Sequence, residues 1–349
     1  MVNRLVLWWF RIVIKNMKKE AFFQIGIMVL LLFMFADFGL CENEAKYTGL
    51  ASIPFHLRLK PDGYRITDVP KGGRIEILEW TDDWCLAVYK GTVGYCKASW
   101  VYSLCSLNPS LYPLPDNPCQ VSGYIVARQD ISVKAGDFDG TVIAAGESVC
   151  AALAGDFFEL PVWREKQCLP AIEVDYRSFV PWQSAEPGDV IAGFTTYYCD
   201  KQGKKHPKER EANILLGCAR IDHAVLASGE SFSFNALCGP YKKSNGYFLA
   251  PNISSDGEGY GGGVCQVSTT LYNALLTLPL RIEEWNVHRY SGVAYVPQFF
   301  DAAVGRYTDL VFSNSLPYPL CIRASAENGI INVLIVCAQD DRNGSVDND

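Results

Sequence analysis

The stretch GEGYGGGVCQVSTT, residues 257–270, joins a glycine-rich loop to the start of an amphipathic helix. Apolar residues recur at helical spacing over residues 264–278, and Pro279 ends the pattern. Cys265 falls in the first turn of this helix, where unpaired N–H groups and the helix dipole favour a negative charge. The three consecutive glycines let the backbone approach a ligand closely. We therefore predict a stabilised, nucleophilic thiolate at Cys265.

Two other interpretations of this stretch stay open from the residues alone. Cys265 could be a buried structural cysteine or half of a disulfide, as cysteines of exported proteins commonly are. The glycines could instead cradle a phosphate group, but the lysine and the Ser/Thr of a P-loop are absent from the stretch. The second interpretation is therefore the weaker of the two.

A cysteine nucleophile needs a base, and His288 is the histidine that the sequence leaves for this role. A strand following the nucleophile helix can run back beside its N-terminus and bring the imidazole to Cys265, with Asp301 orienting it. The plainer alternatives are a partly exposed strand residue for His288 and a turn residue for Asp301. The other three histidines are predicted in a β-rich region, in a lysine-rich turn and on the solvent side of a helix over residues 209–227: His56, His206 and His223.

The chain has 349 residues, which is too long for one ordinary domain. Short β-rich runs separated by turns fill its first half, and strands predicted over 281–296 and 307–336 join the two helices in an α+β region. The predicted fold is therefore multidomain, with one or two small all-β barrels before an α+β domain. The predicted segments are a signal peptide or membrane anchor over 1–41, a barrel over 48–104, a Pro-rich linker over 105–120, a second β-rich domain over 121–180, a linker over 181–189, the α+β domain over 190–340 and a polar tail over 341–349.

The composition excludes two broad classes of protein. With 49% apolar and 20% charged residues, the chain carries enough apolar side chains to build cores and is not disordered throughout. Its formal net charge of -7 gives no basic face for a phosphate backbone. Nucleic acid is therefore not an expected partner.

The N-terminal segment carries the signature of export. Lys15, Lys18 and Lys19 precede an uncharged run over residues 21–36. This pattern predicts a signal peptide or short anchor that contacts the membrane, with the rest of the chain in the cell envelope or secreted to the cell wall. A start at Met17 rather than Met1 would give the signal a more ordinary basic end.

Thirteen cysteines suit an exported chain better than a reducing cytosol. No Cys-x-x-Cys pair occurs, so we predict neither a metal site nor a cofactor. Structural disulfides are the default expectation for these cysteines. Because the number is odd, at least one thiol must stay unpaired within the chain.

Two hairpins allow specific cysteine pairings to be predicted. A two-residue Lys-Gly turn would place Cys85 directly opposite Cys96, within reach of a bridge. In the last hairpin a two-residue Asn-Gly turn would oppose Cys321 to Val336, whereas a three-residue loop or a bulge would oppose it to Cys337.

The first β-rich region resembles bacterial Src-homology-3-like domains. The resemblance rests on RIEIL (74–78), DW (83–84) and VYKGTVGY (88–95). That family often tethers exported enzymes to the cell wall, so the resemblance implies wall attachment. The stretch 123–178 has a similar rhythm of turns and is predicted to be a diverged copy.

The C-terminal region is similar to the VanW domain, a family named from glycopeptide-resistance gene clusters. The similarity covers about residues 190–335 and rests on TTYY (195–198), ANI (212–214), SGESFSFN (228–235), GY (246–247), GGGVCQVSTTLYN (261–273), His288, YVP (295–297), DAAV (301–304) and DLVF (309–312). Some members resemble L,D-transpeptidases, which cross-link peptidoglycan through a cysteine acyl-enzyme, although most have no assigned activity. This sequence departs from the pattern at Ser228, where proline is usual, and before Asp301, where glycine is common.

The resemblance implies an L,D-transpeptidase that makes 3-3 cross-links between peptidoglycan stem peptides. Cys265 would be its nucleophile, His288 its base and Asp301 the orienting carboxylate. Two alternatives stay open: a cysteine peptidase of cell-wall peptides, and a non-catalytic peptidoglycan-binding or scaffolding protein linked to glycopeptide resistance. Substrate contacts are predicted from Tyr260, Gly261, Gly262, Gly263, Gln266, Ser268 and Arg289.

Overall fold

A computed structural model describes residues 44–81, 83–107, 111, 120–133, 141–161, 167–198, 208–252, 257–288, 293–297 and 299–339. The predicted N-terminal signal or anchor, most of the Pro-rich linker and the polar tail lie outside these ranges. Within them, no helix combines the length and apolar character needed to cross a membrane.

The first β-rich region folds into one antiparallel sheet. Its strands are β1 (Tyr47–Ala51), β2 (Phe55–Arg58), β3 (Arg65–Val69), β4 (Arg74–Trp80), β5 (Trp84–Tyr89), β6 (Thr92–Lys97) and β7 (Val101–Ser106). They pair in the order β3-β2-β6-β5-β4-β1-β7. Within the described residues no pairing joins the edge strands β3 and β7, so the predicted closure into a barrel is not seen. We call this the first sheet.

The second β-rich region also folds into antiparallel sheets. Its strands are β8 (Gly123–Ala127), β9 (Ile131–Ser132), β10 (Val142–Ile143), β11 (Ser148–Ala154), β12 (Phe157–Leu160), β13 (Gln167–Pro170) and β14 (Val174–Ser178). Five of them pair in the order β13-β12-β11-β8-β14, and β9 pairs with β10. Their apolar core continues into the C-terminal region through Tyr197 and Ile330.

The C-terminal region combines helices and strands and is α+β. Together with the two β-rich regions before it, it makes the chain multidomain and mostly β. Its elements are β15 (Val190–Tyr197), α1 (Lys208–Ile221), β16 (Val225–Leu226), β17 (Ser231–Ser233), α2 (Phe234–Cys238), β18 (Leu249–Pro251), β19 (Glu258–Tyr260), α3 (Val264–Leu276), β20 (Arg281–Glu284), β21 (Val311–Ser313), β22 (Leu320–Glu327) and β23 (Ile330–Cys337). The main sheet has the order β15-β23-β22-β16, and β17-β21-β20 and β18-β19 form two smaller sheets.

Helix α1 ends six residues earlier than predicted. His223 adopts a left-handed conformation with φ of 61°, and its N–H donates to the carbonyl of Ile322 at 2.8 Å. The chain then pairs with strand β22 as β16 instead of continuing the helix. A tertiary contact therefore overrides the apolar periodicity that predicted a helix through Ala227.

Helix α3 is buried on nearly every side, where the sequence predicted a single apolar stripe. All its residues except Cys265 are buried. Its polar side chains are satisfied by the surrounding chain: Thr270 bonds the Thr196 hydroxyl at 2.7 Å, and Asn273 donates to the Phe300 carbonyl at 2.8 Å. These hydrogen bonds make burial of a polar helix face tolerable.

The first sheet packs against the C-terminal end of α3. Arg74 donates to the carbonyl of Leu278 at 2.8 Å, and the Cys105 thiol donates to the carbonyl of Thr277 at 3.0 Å. Burial lowers the pKa of Arg74. The rings of Tyr102 and Phe299 lie 5.3 Å apart, so the first sheet also contacts the segment that leads to Asp301.

Both cysteine hairpins have the register that a two-residue turn predicts. Cys85 lies opposite Cys96, and a hydrogen bond to Cys96 together with burial raises the pKa of Cys85. Cys321 lies opposite Val336, one residue short of Cys337. The three-residue loop or bulge that would have opposed Cys321 to Cys337 is therefore not present in this hairpin. All ten cysteines in the described part of the chain are free thiols.

Candidate active site

Cys265 lies half-buried in the first turn of α3, at the wall of a cleft of about 1240 Å³. The preceding Gly263 caps the helix with φ of 106°, a conformation that only glycine adopts readily. A Cβ on Gly262 would lie 2.5 Å from the carbonyl oxygens of Ala250 and Pro251. The glycine run is therefore required by the tight packing that sets the position of Cys265.

The glycine loop is anchored from helix α1. The buried side chain of Asn213 donates to the carbonyls of Gly262 at 3.1 Å and Phe248 at 3.0 Å, and its oxygen accepts from the Phe248 N–H at 2.9 Å. The loop is thus held by hydrogen bonds as well as by packing.

His288 and Asp301 form a buried pair beside Cys265. The Asp301 carboxylate lies 2.7 Å from His288 Nδ1 and also accepts from the His288 backbone N–H at 2.7 Å. The side chains are 11% and 1% exposed, respectively. Since Asp301 holds Nδ1, Nε2 is the nitrogen left for the thiol of Cys265. The backbone carbonyl of Asp301 accepts from Trp285 Nε1 at 2.8 Å, which holds the main chain at this residue.

The strand predicted over residues 281–296 does not extend to His288. Strand β20 ends at Glu284, and His288 lies in an irregular segment after it. The two hydrogen bonds from His288 to Asp301 take the place of a sheet ladder in fixing the imidazole.

The environment of His288 favours its charged form. Burial alone would lower the pKa of His288, but hydrogen bonds to Asp301 and Cys265 and the negative charges of both outweigh burial and raise it to about 9. The imidazole is therefore protonated at neutral pH and supplies a positive charge next to the thiol. The thiol also lies 3.3 Å from the Val304 carbonyl, which can accept its proton in a hydrogen bond.

Two backbone donors at the helix start are available to a ligand. The N–H groups of Val264 and Gln266 bond the carbonyls of Gly261 and Gly263, respectively. The N–H groups of Gly263 and Cys265 have no acceptor among the described residues. Such a pair of donors next to a nucleophile can stabilise a developing oxyanion.

The predicted substrate-contact residues fall into three groups. Tyr260, the three glycines at 261–263 and Gln266 line the cleft. Ser268 faces away from it, because its side chain is fully buried and donates to the Ala302 carbonyl at 2.7 Å. Arg289 lies outside the described residues.

Several residues that line the cleft were not predicted from the sequence, above all Arg210 and Tyr295. Arg210 lies four residues before the buried Ile214 on α1, so the periodicity of that helix already put it on the inner face. The signal for Tyr295 was its place in the YVP motif. Burial raises the pKa of this phenol, so Tyr295 stays a neutral hydroxyl in the cleft wall.

The described residues hold no cluster of three or more His, Cys, Asp or Glu side chains placed to bind a metal ion. The cleft wall carries the thiol of Cys265 and the imidazole of His288, and the carboxylate of Asp301 lies behind the imidazole. Fold and site together define an α+β domain with a Cys–His–Asp arrangement at the start of a buried helix.

Comparison with known proteins assigns this region to a family. Residues 209–336 match the family model described as VanW like protein, and this part of the chain is a VanW-like domain. Over 128 residues the chain is 41% identical to the uncharacterized protein YoaR of Bacillus subtilis strain 168. The match covers 35% of this chain and 41% of that relative, so it extends over less than half of either protein.

Proposed function

We propose that this chain is an exported enzyme of the cell envelope that transfers acyl groups between peptidoglycan stem peptides through Cys265. The observation that carries the proposal is the series Cys265–His288–Asp301 at the wall of a large cleft, with the imidazole protonated beside the thiol. A thiolate paired with an imidazolium is a potent nucleophile at neutral pH.

In the first half-reaction, the Cys265 thiolate attacks the carbonyl of the third stem residue, a diamino acid. A C–S bond forms, the C–N bond to the terminal D-alanine breaks, and the His288 imidazolium gives its proton to the leaving amine. The N–H groups of Gly263 and Cys265 stabilise the oxyanion. In the second half-reaction, the side-chain amine of another stem attacks the thioester, His288 takes its proton, and the thiolate returns.

Attachment to the envelope is a further part of the proposal. The segment over residues 1–41 directs export or anchors the chain, and the Src-homology-3-like first sheet binds cell wall. The exposed side chains of Leu59 and Tyr64, in the turn between β2 and β3, and of Val93 on β6 are available for such contacts. The first sheet also closes the end of α3, so its removal would disturb the domain as well as wall binding.

The test is incubation of the chain from residue 42 onward with a purified disaccharide tetrapeptide, with the products identified by mass. A dimer that has lost one D-alanine, absent with Cys265→Ala, supports acyl transfer. A tripeptide monomer without dimer means that water resolves the thioester, and the enzyme is then a peptidase. Unchanged substrate with the wild-type chain contradicts both enzymatic assignments and supports a scaffolding role.

A further inference from the structure

Arg210 is a partly buried cation in the wall of the reactive cleft. Its stem packs against the glycine loop, because a Cβ on Gly263 would lie 2.9 Å from Arg210 Cγ. One Nη donates to the Gln266 side-chain oxygen at 3.0 Å, whereas the buried Nε has no hydrogen-bond partner among the described residues. A guanidinium has five N–H donors, and the Gln266 amide accepts from only one of them.

No carboxylate balances this charge in the described structure. Burial lowers the pKa of Arg210, and the groups that act against burial are Tyr295, Cys265 and Tyr198. Buried charges are normally paired, because an unpaired one is costly to desolvate. None of these three groups is a carboxylate.

The rest of the cleft wall is also positive. Lys242 and Arg306 line it, its described lining contains no Asp or Glu, and neither cation forms an ion pair among the described residues. This contrasts with the chain as a whole, whose formal net charge is -7. Positive charge collected in one cleft of an acidic protein attracts anionic ligands.

We propose that Arg210 binds a free carboxylate of the acyl donor next to the carbonyl that Cys265 attacks, with Lys242 and Arg306 drawing the anion into the cleft. The substrate class is therefore a peptide that bears a free carboxylate close to the reacting carbonyl, and its amidated counterpart is a poor donor. The peptide donor rests on the proposed function, whereas the carboxylate site itself does not. A planar guanidinium suits a carboxylate because it offers two parallel donors.

The test compares two alkylating reagents of similar size, anionic iodoacetate and neutral iodoacetamide, at Cys265. The rate ratio of iodoacetate to iodoacetamide is measured for each variant by mass analysis of the peptide that carries Cys265. We expect Arg210→Gln to lower this ratio about ten- to hundredfold, the effect of losing a charge-assisted hydrogen bond. Arg210→Lys should keep part of the ratio, and Arg281→Gln, the same charge change at an exposed position of β20, should leave it unchanged.

Two outcomes would overturn the carboxylate site. Equal slowing of both reagents by Arg210→Gln means that Arg210 stabilises the thiolate without binding an anion. Unchanged rates mean that Arg210 only supports Gln266. Neither readout requires turnover, so a failure of the proposed function leaves this test intact.

A second measurement uses the wild-type chain alone and is independent of how the variants fold. A short peptide ending in a free D-alanine carboxylate should protect Cys265 from iodoacetamide, and its C-terminal amide should protect it at least tenfold less well. Equal protection by acid and amide contradicts the proposal.

Discussion

The two ends of helix α3 differ in whether the backbone groups near them are hydrogen-bonded. Every helix leaves unpaired N–H groups at its start and unpaired carbonyls at its end. Just past the end of α3, Arg74 and Cys105 of the first sheet donate to the carbonyls of Leu278 and Thr277. At its start, the N–H groups of Gly263 and Cys265 have no acceptor in the part of the chain that the structure describes. We call the C-terminal end of α3, which contacts the first sheet, its closed end. We call the N-terminal end, which carries Cys265 and the unbonded N–H groups, its open end.

The largest expected effect comes from removing the thiol at the open end. Cys265→Ala should abolish turnover and covalent labelling at this position while leaving the melting curve nearly unchanged, because this half-buried side chain contributes little to the core. Cys168→Ala, a change at an exposed cysteine, is the matched control and should retain full activity. Turnover that survives Cys265→Ala contradicts the mechanism.

Replacement of the base should have the next largest effect. His288→Gln removes the imidazolium beside Cys265, and a free cysteine is mostly protonated at neutral pH. We expect acylation to slow by roughly two to four orders of magnitude, with partial recovery as rising pH deprotonates the thiol. Alkylation rates measured against pH for both proteins decide the matter, with His56→Gln as control on the first sheet. If the two profiles superimpose, His288 is not the base.

A change at the closed end should affect stability and spare reactivity. Arg74→Ala removes two hydrogen bonds, to Leu278 and to the Thr48 hydroxyl, and should lower the free energy of unfolding by about 2–3 kcal/mol. Urea denaturation measures this loss, and Arg65→Ala on exposed β3 is the control. The alkylation rate of Cys265 in the folded variant should stay within about twofold of wild type. A loss of reactivity as large as that of His288→Gln would mean that the two ends are coupled.

The smallest expected effect is the pH dependence of stability at the open end. The folded pKa of His288 is raised from 6.5 to about 9, so its protonation stabilises the fold fully below pH 6.5, and this contribution is lost as the pH rises through 9. The stability difference between wild type and His288→Gln should therefore shrink from pH 6 to pH 9.5. Urea denaturation at several pH values tests this, and a constant difference would contradict the assigned protonation.

Local patterns predicted the parts of the fold that depend on short-range geometry. Helix α3 was predicted over 264–278 and spans Val264–Leu276, because its apolar spacing and Pro279 act locally. The Asn-Gly turn likewise fixed the register that opposes Cys321 to Val336. The sequence also singled out Cys265, His288 and Asp301 as a set, and the structure brings the three side chains together.

Features that depend on distant contacts could not be predicted. The end of α1 is set by the bond from His223 to Ile322, about a hundred residues away. The segment of His288 is held by Asp301 rather than by a strand. The apolar periodicity of α1 places Arg210 on the inner face of that helix. That Arg210 has no carboxylate partner among the described residues is visible only in the folded structure.

The polar contacts of α3 have a consequence for the order of events in folding. Its hydrogen bonds to Thr196 span 70 and 74 residues of chain, and the bond from Ser268 to Ala302 spans 34. Such long loops close late, because their entropy must be lost before the contacts form. A nascent or unfolded chain therefore carries Cys265 as an ordinary thiol without its base. The set of Cys265, His288 and Asp301 is therefore complete only when the whole domain has closed.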